Sequence, residues 1–288
     1  MGEIVGAALV THVPPLVLPE NVRLELNGGK DFSIVDGLHR MRRERIDPLD
    51  VDTIVVLDTH WFTTFEWVVS AHERRSGRFT SEELPRGNPQ MPYDLPGDPE
   101  LARLMAEVAS ERDDTWVLAC DDPYLAIHYP TVYLTPFLQR DEAWLTTSVC
   151  QTAEFDDFVI FGEVLAEAIR RSDRRVVILA SGALSHKFWP LRELRQHEGA
   201  DPRHIFSPAH RAADEKIIAM LERGDHAGVL AEYPEFRKFS PEGRFAHYVI
   251  MASALGGPAW NSRGVAYSDY ENAAGTGMIH MWFPTVAG

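Results

Sequence analysis

Three short apolar runs, residues 4–10, 53–57 and 176–180, each give way within a few residues to a histidine: His12, His60 and His186. Runs this short have the length of a buried strand rather than of a helix. Pro14 and Pro15 cannot continue a ladder, so the first strand has to end around Thr11-His12. Between the runs the pattern changes period. Residues 32–45 carry apolar side chains at helical spacing through Ile34, Val35, Leu38 and Met41, and residues 101–111, 155–171 and 209–223 also read as helices, the last stopped by Gly224. Further strands are expected over 66–71, 116–119, 144–149 and 278–283.

Strands alternating with helices imply an α/β fold. With no repeat and no clear linker, residues 1–288 read as a single domain. The expectation is a central, mostly parallel or mixed sheet flanked by helices, with the active site at the carboxyl ends of the strands. Residues 76–99, rich in Gly, Pro and polar side chains, read as a long loop or flap, and residues 186–208 as irregular chain. Near the end, Ser240 suits a helix N-cap and Pro241 the first helical position; Gly256-Gly257-Pro258 ends that helix.

Composition narrows the function classes. A formal net charge of −15 makes nucleic acid and an anionic membrane surface poor partners. The two cysteines, Cys120 and Cys150, lie in apolar stretches without a Cys-x-x-Cys pair, which points to buried thiols in a reducing compartment. No apolar run approaches ~20 residues, and the N-terminus lacks a basic leader, so a cytoplasmic protein is expected.

One histidine after a strand carries little information, but three in equivalent places suggest a ligand site. Imidazole suits zinc, copper, iron and nickel, and two histidines with one carboxylate leave open positions on iron. His12 and His60 are the candidate metal ligands. For the carboxylate, Asp58 is close to His60, but Glu242, in the first turn of its expected helix, projects from a more rigid element. Glu242 also reads simply as an acid placed at a helix N-terminus by the macrodipole. The same three ligands would serve a zinc hydrolase, and a non-enzymatic relative with the same fold is a third reading. Trp61 and Trp189 lie near the candidate histidines and read as core or pocket aromatics; Lys187 and Arg244 read as surface charges or as groups that attract a substrate carboxylate. The other histidines read as structural or exposed, His247 among them, about 140° from Glu242 on an ideal helix.

Four segments, Thr11-His12-Val13-Pro14, Asp58-Thr59-His60-Trp61, the run from Ala180 to His186, and Pro241-Glu242-Gly243, resemble the signatures of the class III extradiol dioxygenases, the family of protocatechuate 4,5-dioxygenase. They stand in family order across most of the chain. The 3,4-dihydroxyphenylacetate 2,3-dioxygenase branch is similar at residues 51–55, at Ser81-Glu82-Glu83-Leu84-Pro85, and from Gly275-Thr276-Gly277 to Pro284. The resemblance implies that His12, His60 and Glu242 bind Fe(II) and that His186 is the acid/base. It also implies that Tyr129 or His128 stands near the substrate. The family usually carries Gly after that position where this chain has Pro130, which leaves the choice between the two open. The partners implied are O2 and a small aromatic substrate of catechol type, best 3,4-dihydroxyphenylacetate, with 2-aminophenol or another substituted catechol as the alternative. Cleavage beside the diol would yield a muconic semialdehyde, and the family suggests a homo-oligomer.

Overall fold

The structure, a computed structural model, describes residues 1–85, 87 and 89–285. Its strands are β1 (Glu3–Val10), β2 (Thr53–Thr63), β3 (Trp67–Ser70), β4 (Arg74–Phe79), β5 (Met91–Pro96), β6 (Val117–Cys120), β7 (Ala143–Cys150), β8 (Arg175–Ser181), β9 (Val265–Ala266), β10 (Glu271–Ala273), β11 (Thr276–Met278) and β12 (Met281–Pro284). The α-helices are α1 (Glu20–Leu26), α2 (Ser33–Met41), α3 (Pro99–Ser110), α4 (Tyr129–Val132), α5 (Thr135–Leu138), α6 (Phe155–Arg171), α7 (Pro208–Arg223), α8 (His226–Phe236) and α9 (Ala246–Ala254).

Successive side chains of a strand face opposite sides of its sheet, and here both sides are apolar. Ala7, Leu9, Val55, Leu57, Ile178 and Ala180 join a core with α3, α6 and α9. Their neighbours Ala8, Val10, Ile54, Val56, Val177 and Leu179 join a second core that includes Ile34, Leu38 and Met41 of α2. Strands covered on both faces read as continuous apolar runs, which is why they were legible. The expected α/β architecture is present. Eight strands form one mixed sheet in the order β6-β3-β7-β2-β8-β1-β12-β9. β7, β2, β8 and β1 run parallel, whereas β12 and β9 are antiparallel additions at one edge. The carboxyl ends of β1, β2 and β8 therefore open on the same side of three adjacent strands.

Caps match the sequence where the chain is locally consistent. Asp98 accepts from the Leu101 N–H ahead of α3, Glu154 and Asp157 form a reciprocal cap on α6, and Ser207 accepts from the His210 N–H ahead of α7. Three expectations need correction. Residues 76–99 are not one long loop: β4 and β5 form a polar hairpin, and a two-stranded ribbon tolerates Pro92 and Pro96 because both its strands are edges. Arg86 and Asn88 within that stretch lie outside the described residues. Helix α8 was not expected; its signal was Asp225, which accepts from the Gly228 N–H as a cap, but Pro234 inside the helix obscured the period. Finally, Ser240 and Pro241 do not open a helix. Ser240 is left-handed at φ 53°, Pro241 is extended, and α9 begins only at Ala246. Among the described residues, no helix is long and apolar enough to cross a membrane.

His280 ties the sheet to the site and gives the fold a pH signature. Its ring is fully buried, its Nδ1 accepts from the Thr11 N–H at 3.1 Å, and burial pushes its pKa down from 6.5 to about 3. The unfolded chain therefore binds a proton that the folded chain excludes. This contribution to stability is complete above about pH 6.5 and is lost as the pH falls toward 3. His280→Asn, which offers Oδ1 in place of Nδ1, should flatten the loss of stability between pH 6 and 4 by up to about 1.4 kcal/mol per pH unit. Urea unfolding across that range measures it, and an unchanged slope would reject the assignment.

Candidate metal centre

His12 leaves the end of β1 in a fixed position because Thr11 is bound on three sides. The Thr11 N–H reaches His280, its hydroxyl donates to the Ile279 carbonyl at 3.2 Å, and the same oxygen accepts from the Ile279 N–H at 3.3 Å. The His12 ring is buried, with Nδ1 3.0 Å from the Ser181 hydroxyl. That hydroxyl donates its only proton to the Pro130 carbonyl at 3.2 Å, so it accepts from His12 Nδ1–H. In the neutral ring His12 Nε2 then carries a lone pair.

His60 does not follow the end of its strand as expected. β2 continues to Thr63, and the register shifts between Leu57 and Phe62, so His60 sits on a bulge. Bulges re-aim side chains and free backbone donors. Asp58 takes up those donors: its Oδ1 accepts from the His60 and Trp61 N–H groups at 2.9 and 3.0 Å, and Oδ2 accepts from the Thr131 hydroxyl at 3.1 Å. Asp58 thus shapes the bulge rather than facing the site. His60 Nδ1 meets the Glu83 carboxylate at 3.2 Å.

Glu242 stands just before three consecutive left-handed residues. Gly243, Arg244 and Phe245 follow it with φ of 52°, 59° and 64°. Left-handed residues other than glycine cost roughly 1–2 kcal/mol each, and such strain collects at functional sites. Two anchors hold it. Arg244 donates from Nη1 to the Ala153 carbonyl and from Nη2 to the Cys150 carbonyl, at 2.7 and 2.8 Å, and Phe245 stacks on Tyr248 at 4.7 Å. The left-handed turn also voids the helical-wheel placement of His247, whose buried ring packs against Gly182 in the loop after β8.

These three elements bring their donors together. Glu242 Oε1 lies 3.0 Å from His12 Nε2 and 2.7 Å from His60 Nε2, and ligand atoms of the three residues all fall within 4.8 Å of one another. Glu242 Oε2 is held by the Ala183 N–H at 2.6 Å. Each outward atom is thus engaged by the protein while the inward atoms converge. His12 Nε2 and the carboxylate face each other at 3.0 Å, a contact that a proton on Nε2 or a metal cation between them would satisfy. The donor set fits a divalent transition metal, and the outer partners are those that hold metal-ligating histidines in one tautomer. Burial opposes ionisation of Glu242, yet the facing imidazoles hold its carboxyl well below the ordinary value. Burial likewise works against charge on His60, but hydrogen bonds that it donates to Glu242 and Glu83 outweigh it and raise the ring to about 10. A cation bound at the centre takes the place of that proton.

His186 joins the group from the loop after β8. Its Nε2 lies 4.0 Å from Glu242 Oε1, and its Nδ1 lies 2.8 Å from the Thr276 hydroxyl. Burial lowers its pKa, so the ring is neutral near pH 7. Tyr129 also reaches the centre: its hydroxyl is 2.7 Å from His60 Nε2 and donates to Glu83 at 3.2 Å. His128 instead stacks on Trp61. Trp189 stacks on His197 and donates from its indole to the His204 carbonyl, a packing role. Neither basic candidate stands ready for a substrate carboxylate, since Arg244 is committed to carbonyls and the Lys187 ammonium sits over the Phe206 ring at 4.1 Å. Ser181, Glu83 and Thr276 were missed as supporting residues. The only signal for the last two was their place in the branch-like segments.

Residues 6–278 match the family described as the catalytic LigB subunit of aromatic ring-opening dioxygenase. The chain belongs to that family. It is 30% identical over 260 residues to 3,4-dihydroxyphenylacetate 2,3-dioxygenase of Escherichia coli, covering 89% of this chain and 91% of that protein. The crystal structure of an uncharacterized protein, JW3007, from Escherichia coli K12 has the same fold, with a TM-score of 0.63 at 18% identity over 97% of this chain and 99% of the other. The protein is an extradiol ring-cleavage dioxygenase, which sets aside the hydrolase and binding-module readings.

The turn after Glu242 is open to a direct test. A Cβ on Gly243 would lie 2.7 Å from Thr59 Cγ2, beside His60, on a backbone already at positive φ. Gly243→Ala is expected to cost about 1–3 kcal/mol in denaturant unfolding and to weaken metal retention measured after dialysis. A variant as stable and metal-retentive as the parent would contradict the role of this turn in placing Glu242 beside His60.

Proposed function

We propose that residues 1–288 act as one catalytic domain, a ferrous-iron extradiol dioxygenase that opens the ring of 3,4-dihydroxyphenylacetate. The observation that carries this reading is the convergence of His12 Nε2, His60 Nε2 and Glu242 Oε1 with a neutral His186 beside them. Two histidines and one carboxylate are the ligand set of non-haem iron oxygenases and leave adjacent positions open. The substrate follows from the relative that is 30% identical, which is named for that catechol.

Iron held by these three side chains would supply a centre at which the two catechol oxygens and O2 meet and exchange electrons. The remaining work falls to the protein. His186, neutral near pH 7, takes the proton of a substrate hydroxyl at Nε2 and later returns it. Tyr129, a poor acid because burial and the nearby Glu242 and Glu83 carboxylates raise its pKa, keeps its proton, donates a hydrogen bond to Glu83, and leaves its hydroxyl oxygen free to accept from a substrate hydroxyl near His60. Glu83 holds both His60 and Tyr129 in register.

Oxygen uptake by the protein loaded anaerobically with ferrous iron tests the reading, using 3,4-dihydroxyphenylacetate, catechol and 2-aminophenol. The first substrate should consume one O2 per molecule and form a yellow semialdehyde. His186→Ala should retain its iron while turnover falls about 100-fold or more, whereas His12→Ala and Glu242→Ala should lose the iron. Uptake with 2-aminophenol alone would move the substrate assignment, and a fully active His186→Ala would end the acid/base role.

A further inference from the structure

His186 lies on a loop, yet its surroundings are those of a rigid element. The stretch 184–186 is zipped onto β11: the Leu184 N–H donates to the Gly277 carbonyl at 3.0 Å, the Gly277 N–H donates to the Ser185 carbonyl at 2.8 Å, and His186 bridges to Thr276. On another side, the His186 N–H donates to the Ser240 carbonyl at 3.0 Å. Behind it, the buried Asp214 of α7 accepts from the Ser185 N–H at 2.9 Å, the Ser185 hydroxyl at 2.7 Å and the Tyr270 hydroxyl at 2.6 Å. The carboxylate occupies the room that glycine leaves: a Cβ on Gly277 would lie 2.0 Å from Asp214 Oδ2. Burial of this kind is costly unless the group is fully hydrogen-bonded, and three donors meet that demand. The backbone of His186 is thereby fixed relative to Thr276, a residue that is 2% exposed and whose Oγ1 stands 2.8 Å from Nδ1.

We infer that Thr276 is a positioning residue: its hydroxyl accepts from His186 Nδ1–H and so presents Nε2, the nitrogen facing Glu242, as the one that exchanges a proton with the substrate. The inference rests on the acid/base role proposed above for His186. A neutral imidazole has one donor and one acceptor nitrogen, whereas an imidazolium has two donors. A proton-transfer histidine therefore needs a partner on its far nitrogen that can accept in both states. A hydroxyl oxygen at 2.8 Å does so without moving, which keeps the ring aimed while Nε2 gains and loses its proton. Thr276 acts through His186 and need not touch the substrate.

Thr276→Val removes the hydroxyl at nearly constant volume, and Thr276→Ser keeps the hydroxyl while removing the methyl group. In the iron-loaded enzyme, kcat for 3,4-dihydroxyphenylacetate should fall about tenfold or more in the valine variant while KM stays within about twofold, and serine should restore most of it. A second readout does not depend on turnover. In zinc-loaded protein carrying 15N-histidine, two-bond proton–nitrogen spectra of the parent and of Thr276→Ser should show His186 protonated on Nδ1, and Thr276→Val should show a mixture of tautomers. A valine variant with parental kcat and an unchanged tautomer would overturn the inference, as would a serine variant no better than valine. Parental protein with its proton on Nε2 would overturn it whatever the activity. If the parent opens no catechol yet shows the Nδ1 tautomer lost in valine, the proposed substrate reading fails and the positioning role stands.

Discussion

Everything around the centre follows from one contact, a carboxylate oxygen and an imidazole lone pair facing each other at 3.0 Å. Without a proton or a metal cation between them the two repel, and in a buried site the repulsion is poorly screened. The protein nonetheless fixes both from behind. Ser181 holds the proton of His12 on Nδ1, and the Ala183 N–H holds the outer oxygen of Glu242. Both supports come from β8 and the loop after it, so the segment that leads to His186 also aims the candidate ligands. The arrangement keeps its donors in place before any ion arrives, which reduces the reorganisation that binding would otherwise demand.

The fold places these groups by giving three adjacent parallel strands three different endings. β1 stops at prolines and is pinned through Thr11. β2 bulges, with Asp58 collecting the displaced N–H groups. β8 runs into a loop locked onto β11 and α7. Glu242 comes from elsewhere, on a left-handed turn whose strain is offset by the Arg244 fork and the packing of Phe245 against Phe236 and Tyr248. Regular strands supply rigidity, while the bulge and the strained turn supply the aim.

What the sequence disclosed follows the same division. The apolar runs leading to His12, His60 and His186 were legible because strands buried on both faces must be apolar throughout. The four family-like segments then linked Glu242 to them. The local backbone was not legible. Ser240-Pro241-Glu242 satisfies the rules for a helix start, and only Gly243 hints that the chain turns left-handed, since Arg244 and Phe245 adopt that conformation against their own preference. The bulge at His60 leaves no mark in composition. The choice between His128 and Tyr129 needed the contact between the Tyr129 hydroxyl and His60, which depends on where α4 sits against β2. The hairpin of β4 and β5 was hidden by its polarity, for its side chains are mostly exposed or half-buried and only Phe79 and Leu95 are buried in the core.

The central claim is that His12, His60 and Glu242 share one metal ion. An anomalous-difference map at the iron absorption edge, from crystals grown anaerobically with ferrous iron, tests it most directly. A single strong peak in direct coordination with His12 Nε2, His60 Nε2 and Glu242 is the predicted result. A peak elsewhere in the chain, or iron bound in solution with no peak among these three side chains, would contradict the account.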